Sequence, residues 1–125
     1  MFAAHNRERA NNGLPSLTAD ATLTQVARNR AQDMASNGYF AHTSPSGQTA
    51  FTLLGAAGYA YAIAGENLAR NNYPDDQSVS VAVSGFMNSP SHRVNVLEPK
   101  FKSIGVGLAL TPSGMKYYVV IFAGN

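Results

Sequence analysis

The 125-residue chain contains no cysteine. This absence excludes disulfide bonds, thiolate metal sites and cysteine nucleophiles together. It does not assign the cellular compartment, since bacterial secreted domains can also lack cysteine. Long apolar runs are missing as well: no stretch approaches the roughly 20 residues needed to cross a bilayer, and the opening MFAAHNRERA has no signal-peptide core. We therefore expect no membrane span.

Charge is scarce in this sequence. Only 13% of the residues are charged and the net charge is +2, with the basic residues scattered along the chain. A nucleic-acid-binding protein would need a denser basic face, so we expect no nucleic-acid partner. Apolar residues make up 45% of the chain, which is typical of a compact domain. We expect one domain over residues 1–125, and a monomer.

Helical signals dominate the first two thirds of the chain. A short helix runs through Asn11, and Thr18 is placed to cap a longer helix that ends at Asn37 and Gly38. The longer helix has an apolar stripe with the spacing of three and four residues that buries one helix face. The stripe comprises Leu23, Val26, Ala27, Arg30, Ala31 and Met34.

The remaining elements complete an α+β pattern. Short helices are predicted over QTAFTLLGAAG and SVSVAVSGFMN, the latter with Val79, Val83 and Phe86 facing inward. Two runs rich in branched and aromatic residues, SIGVGLALT and MKYYVVIFA, flank a Pro-Ser-Gly turn and predict a β-hairpin. Helices covering a small antiparallel sheet are the expected architecture.

The segment FMNSPSHRVNVLEPKF, residues 86–101, combines serines with one of only three histidines. A serine hydrolase would need Ser89 or Ser91 activated by His92. Ser89 followed by Pro90 is instead typical of a helix start, in which the serine oxygen caps the first turn. We therefore interpret Ser89 as a cap, and no GxSxG nucleophile turn is present.

Four stretches in order resemble the CAP superfamily, whose unit is also called the SCP domain. They are HNRERANNGLPSL, FAHTSPSG, GENLA and FMNSPSHRVNVLEPKFKSIGVG. The cysteine-free form with SPSHR resembles the bacterial branch. The resemblance implies an α-β-α sandwich, an extracellular or cell-surface location, and a cleft of two histidines and two glutamates that binds a divalent metal in some members.

By this resemblance His42 and Glu66 match the first histidine and first glutamate of the cleft. Ser89 stands where the second glutamate is expected and Lys116 where the second histidine is expected, so His92 is the available substitute. His42, His92 and Glu66 are candidate ligands for a divalent metal such as zinc. Glu66 needs a partner such as His42, His92 or Arg93, because an unpaired buried charge is costly. Asn67 is expected to order the loop through its amide.

The sequence thus predicts an extracellular binding domain rather than an enzyme. Its cleft of His42, Glu66 and His92, with Ser89 and Asn67, would bind a small ligand, a metal, a lipid, or a glycan or peptide of a cell surface. The alternative is a metal-dependent hydrolase of peptide or cell-wall material with Glu66 as general base. A third possibility is a scaffold module with a vestigial cleft.

Overall fold

A computed structural model describes residues 1–125. It contains five helices and a four-stranded sheet in the order β1-β3-β4-β2, so the predicted α+β class is confirmed. Strand β1 pairs in parallel with β3, and the other two pairings are antiparallel. The elements are α1 (Phe2–Asn11), β1 (Thr18–Ala19), α2 (Ala21–Asn37), α3 (Ala50–Ala56), β2 (Ile63–Asn71), α4 (Asp75–Met87), α5 (Pro90–Val96), β3 (Ser103–Leu110) and β4 (Lys116–Gly124).

Helices cover both faces of the sheet. Every residue of β4 is buried, and its successive side chains point to opposite faces. Val119 and Ile121 pack against α2 and α3, while Val120 and Phe122 pack with side chains of α4 and α5. The predicted α-β-α sandwich therefore has two apolar cores, one on each side of the central strand. None of the helices has the length and apolar character that a bilayer span requires.

Helix α2 buries the predicted stripe, but its cap is a different residue. The buried positions are the six that the spacing of three and four identifies. Asp20 caps the helix by accepting a hydrogen bond from the Leu23 N–H at 2.9 Å, whereas Thr18 lies in β1. Thr18 was the wrong cap because its backbone pairs with Ser103 of β3. The helix ends at Gly38 in the left-handed conformation, as predicted.

Two glycines of β3 allow α2 to lie directly on the sheet. A Cβ atom at Gly107 would lie 2.3 Å from the backbone carbon of Ala27, and one at Gly105 would lie 2.2 Å from that of Leu23. Any side chain at these positions would push the helix away. The Gly-Val-Gly sequence therefore determines the distance at which α2 carries its residues over the sheet.

The other face is organised around α4 and a buried histidine. Helix α4 buries Ser78, Ala82, Val83 and Phe86, so two of the three predicted inward positions are fully buried and the third, Val79, is partly buried. The Ser78 hydroxyl also turns inward and is hydrogen-bonded to the Tyr118 hydroxyl at 2.7 Å. The buried His5 lies against the rings of Phe86 and Phe122.

Candidate functional site

Glu66 is held by a buried arginine, Arg30, that was not among its predicted partners. The Arg30 Nε donates to Glu66 Oε2 at 2.6 Å and Nη2 donates to Oε1 at 3.1 Å. The two side chains are 1% and 2% exposed. A bidentate guanidinium is well suited to neutralise a carboxylate away from water. Arg93, one of the three predicted partners, is instead exposed, with its guanidinium 3.5 Å from the Met87 carbonyl.

His42 completes this cluster from the loop after α2. Its Nδ1 donates to Glu66 Oε1 at 2.8 Å, while 61% of the side chain remains exposed. Arg30 also donates to the Ala41 carbonyl at 2.9 Å, which fixes the backbone beside the histidine. The structure therefore brings the predicted pair His42 and Glu66 together. The imidazole is oriented by the carboxylate and keeps its other edge toward solvent.

His92 lies on the opposite face of β2 from this cluster. Glu66 and Asn67 are successive strand residues, so their side chains point to opposite faces of the sheet. Asn67 donates to the His92 carbonyl at 3.0 Å and accepts from the Asn95 amide at 2.9 Å. Asn67 thus ties α5 to β2, so its amide holds a helix to a strand rather than ordering a loop. Gly65 makes room for Asn95, since a Cβ there would lie 2.9 Å from the Asn95 Oδ1.

Ser89 occupies the cap position of α5 but does not cap it. Its side chain accepts no hydrogen bond from a backbone N–H of the first turn, so the predicted capping bond is absent. The hydroxyl is instead hydrogen-bonded to His92 Nδ1 at 2.8 Å. The imidazole, rather than a backbone N–H of the first turn, is bonded to this hydroxyl. It stacks on the Phe86 ring, with centroids 5.5 Å apart, and this contact holds it beside the serine. Ser89 and His92 therefore form a second polar pair, separate from His42 and Glu66.

These side chains do not fit a divalent metal. No three His, Asp or Glu side chains come together as a metal-ligating group. Both oxygens of Glu66 already accept hydrogen bonds from the Arg30 guanidinium, whose positive charge stands where a cation would bind the carboxylate. Lys116, which stands at the expected second histidine, is bonded to the Tyr73 carbonyl and lies 3.2 Å from Asp75 Oδ1. Of the three residues that the resemblance suggested for zinc, His42 and Glu66 therefore form a cluster neutralised by Arg30, and His92 lies apart from it.

A groove runs along the free edge of β2, facing α4, and is called here the β2–α4 groove. Its volume is about 460 Å³, within the range of ligand-binding clefts. Ser89 and His92 line one part of it, while His42, Glu66 and Asn67 do not contribute. The full lining is Phe40, Leu68, Ala69, Arg70, Asn71, Tyr73, Val81, Ala82, Gly85, Phe86, Ser89 and His92.

Arg70 is the charged residue of this groove. Its guanidinium lies 4.7 Å from the centroid of the Phe40 ring, in cation–π geometry. None of the ion pairs of the structure includes it. A positive charge thus stands without a counter-ion beside an apolar wall.

Arg30 and Arg70 were both missed as site residues, but the sequence contains a pattern from which Arg30 could have been identified. Arg30 falls within the apolar stripe of α2, and a charge at a buried helix position requires a buried opposite charge. Glu66, in the apolar segment AIAGENLA, is the matching carboxylate. Nothing in the sequence distinguishes Arg70 from other surface arginines, because its role depends on where the edge of β2 lies in the fold.

Comparison with known proteins agrees with the motifs and the fold. The model of the CAP family, described as the cysteine-rich secretory protein family, matches residues 2–122. The chain belongs to the CAP family. Among curated relatives, it is 40% identical over 102 residues to the uncharacterized protein YkwD of Bacillus subtilis, and 33% identical over 114 residues to the uncharacterized membrane protein YlbC of the same organism. Those matches cover 82% and 91% of this chain but only 38% and 30% of the relatives.

Solved structures place the CAP chain beside extracellular and surface proteins. It is similar to an extracellular protein containing an SCP domain from Bacillus anthracis, with a TM-score of 0.84 and 31% identity over 99% of this chain and 39% of that one. An outer surface protein from Borrelia burgdorferi has a TM-score of 0.87 at 23% identity, over 99% of this chain and 89% of that one. The second likeness concerns the fold alone.

Proposed function

We propose that this CAP chain is an extracellular binding domain that takes its ligand in the β2–α4 groove. The observation that carries the proposal is the combination of an apolar wall with an uncompensated positive charge. Phe40, Val81 and Phe86 supply apolar surface, and Arg70 supplies the charge. A ligand with an apolar body and an anionic group would be complementary to both. The extracellular location is supported by the extracellular protein from Bacillus anthracis to which the chain is 31% identical.

Binding is favoured over catalysis by the state of the candidate catalytic groups. A metal-dependent hydrolase would require Glu66 as a general base for a bound water. Both oxygens of this carboxylate accept hydrogen bonds from Arg30, and Oε1 also accepts from His42. A buried carboxylate whose two oxygens are already hydrogen-bonded in this way is not positioned to hold and activate a water. The Glu66 cluster is therefore assigned a structural role beside the groove.

The proposal is tested by filling the groove without disturbing the fold. Gly85 lines the groove from α4, and a Cβ there would meet no atom within 4 Å. A Gly85→Leu variant should therefore fold and occupy the space of a ligand. Gly55→Leu in α3 is the matched control, since its Cβ would also meet no atom within 4 Å and it does not line the groove.

Dodecanoate combines an apolar body with an anionic group and serves as the probe in calorimetric titrations. Saturable binding should be seen with the wild type and with Gly55→Leu and should be lost with Gly85→Leu. Dodecyltrimethylammonium, which carries the opposite charge, should bind more weakly because it faces Arg70. Equal dodecanoate binding by Gly85→Leu and Gly55→Leu would overturn the assignment of the groove.

A further inference from the structure

The β2–α4 groove has an unpaired strand edge as part of its wall. Strand β2 stands at the end of the sheet order and pairs only with β4. Four of its consecutive residues, Leu68 to Asn71, line the groove. Successive strand residues point to opposite faces, so a cavity that touches all four lies against the edge of the strand. The outward backbone groups of this edge therefore face the groove.

Two hydrogen bonds at the end of β4 identify which residues of β2 point outward. The Gly124 carbonyl accepts from the Ala62 N–H, so Gly124 faces β2. The Ala123 carbonyl accepts from the Lys102 N–H, so Ala123 faces β3. In an antiparallel pair, hydrogen-bonded and non-hydrogen-bonded residues alternate. Because Ile63 pairs with Gly124, the odd-numbered residues of β2 bond to β4 and the even-numbered residues point away.

The Asn95 side chain supports this alternation of odd-numbered and even-numbered residues, and the free edge of β2 begins beyond its contact with the strand. Its Nδ2 lies 3.4 Å from the Glu66 carbonyl, which is an even-numbered and therefore outward group. Beyond it, the backbone N–H and C=O groups of Leu68 and Arg70 have no side-chain partner and no partner in the loops. At the far end the Asn71 amide donates to the Ser78 carbonyl and closes the edge against α4. An open edge of two outward residues thus lies between two asparagines.

We propose that an extended peptide adds to this edge as a fifth strand, so that the binding domain recognises a peptide segment. Each outward residue offers one donor and one acceptor, the pattern that strand addition uses. Side chains of the added strand would alternate between the two faces of the sheet. In the added peptide, a residue whose side chain lies on the same face of the sheet as Arg70 would be acidic, because the Arg70 guanidinium has no counter-ion. The peptide residues before and after this acidic residue point to the opposite face of the sheet. They would be apolar, because Val81 and Phe86 line the groove there.

This inference rests on the proposed binding function and specifies its ligand as a peptide with the pattern apolar, acidic, apolar. The probe is the blocked peptide acetyl-Ser-Val-Glu-Val-Ser-amide, titrated into the ¹⁵N-labelled chain. Amide hydrogens of Leu68 and Arg70 should exchange more slowly with bound peptide, while that of Ala69, already paired with β4, should change little. N-methylation of the glutamate nitrogen and of the following valine nitrogen should have unequal effects. Only alternate N–H groups of the peptide face β2, so only one of these two nitrogens donates a hydrogen bond to the strand. Methylation of that nitrogen should weaken binding about tenfold or more, and methylation of the other should have a smaller effect.

Charge reversal separates strand addition at Arg70 from general adhesion. Arg70→Glu should weaken binding of this peptide by about tenfold and favour the matching Val-Lys-Val peptide. Arg28→Glu, which reverses an exposed charge on α2, should change neither. Equal effects of the two N-methylations, or unchanged exchange at Leu68 and Arg70 with peptide bound, would overturn the strand model. Dodecanoate binding without peptide binding would overturn this inference and leave the proposed function standing, whereas loss of both would remove both.

Discussion

Replacing Arg30 with methionine tests the reasoning about the Glu66 cluster. The substitution keeps most of the side-chain volume in α2 but removes both hydrogen bonds to the carboxylate. Glu66 would keep only His42, which is largely exposed, while its own carboxylate stays 2% exposed. Removing one partner of a buried ion pair costs about 3–5 kcal/mol, because the other charge is left uncompensated. We expect the free energy of unfolding to fall by that amount.

Equilibrium unfolding in urea measures this loss, and a double variant controls for lost packing. Arg30→Met combined with Glu66→Leu replaces the pair by apolar residues, which is often neutral or even stabilising. The double variant should therefore be more stable than Arg30→Met alone. A cost below about 1 kcal/mol for Arg30→Met, or a double variant as unstable as the single one, would refute the assignment of Arg30 as the essential partner of Glu66.

Three further predictions concern pH, metal and packing. Burial lowers the pKa of His5 to about 4 from 6.5, so the unfolded chain binds this proton more readily. The free energy of unfolding should fall by up to about 3 kcal/mol as pH drops from about 6.5 to about 4, and urea unfolding of His5→Phe over this range should show a smaller fall. Zinc should raise the melting temperature of the wild type no more than that of His42→Ala, and a selective rise for the wild type would contradict the neutralised cluster. Gly107→Ala should destabilise by about 1–3 kcal/mol by overpacking against α2, whereas Gly85→Ala on open α4 should stabilise by about 0.5–1 kcal/mol; equal urea midpoints for the two would be contrary to this account.

Local patterns made much of the fold predictable from the sequence. The spacing of three and four residues identified all six buried positions of α2, because a helix on a sheet buries one continuous stripe. The branched runs on either side of Pro-Ser-Gly became β3 and β4. The cap of α2 was less predictable, because a two-residue strand pairing that joins Thr18 to Ser103 depends on contacts across the chain.

The candidate site could be predicted only in part. The motifs identified His42 and Glu66, which are in contact, and His92 and Ser89, which are also in contact. The face of β2 on which each pair lies depends on the alternation of side chains along the strand, which places Glu66 and Asn67 on opposite faces. The capping prediction for Ser89 was wrong because an imidazole three residues away takes the hydroxyl. Sequence rules for caps describe the local backbone and do not include such competition from a side chain held by stacking.

The groove itself is a product of the tertiary fold. It exists because β2, far from the end of the chain, stands at the edge of the sheet. Its charge comes from Arg70 and its apolar wall from α4 and the loop after α2. No single segment of the sequence carries this arrangement.

The central claim is that the β2–α4 groove is the binding site, and amide chemical-shift mapping tests it most directly. The ¹⁵N-labelled chain is titrated with dodecanoate, and the shifts are followed for every residue. The account predicts saturable changes that concentrate at residues 68–71 and 81–86, and their loss in Gly85→Leu. Changes centred instead on His42 and Glu66, or changes that persist unaltered in Gly85→Leu, would contradict it.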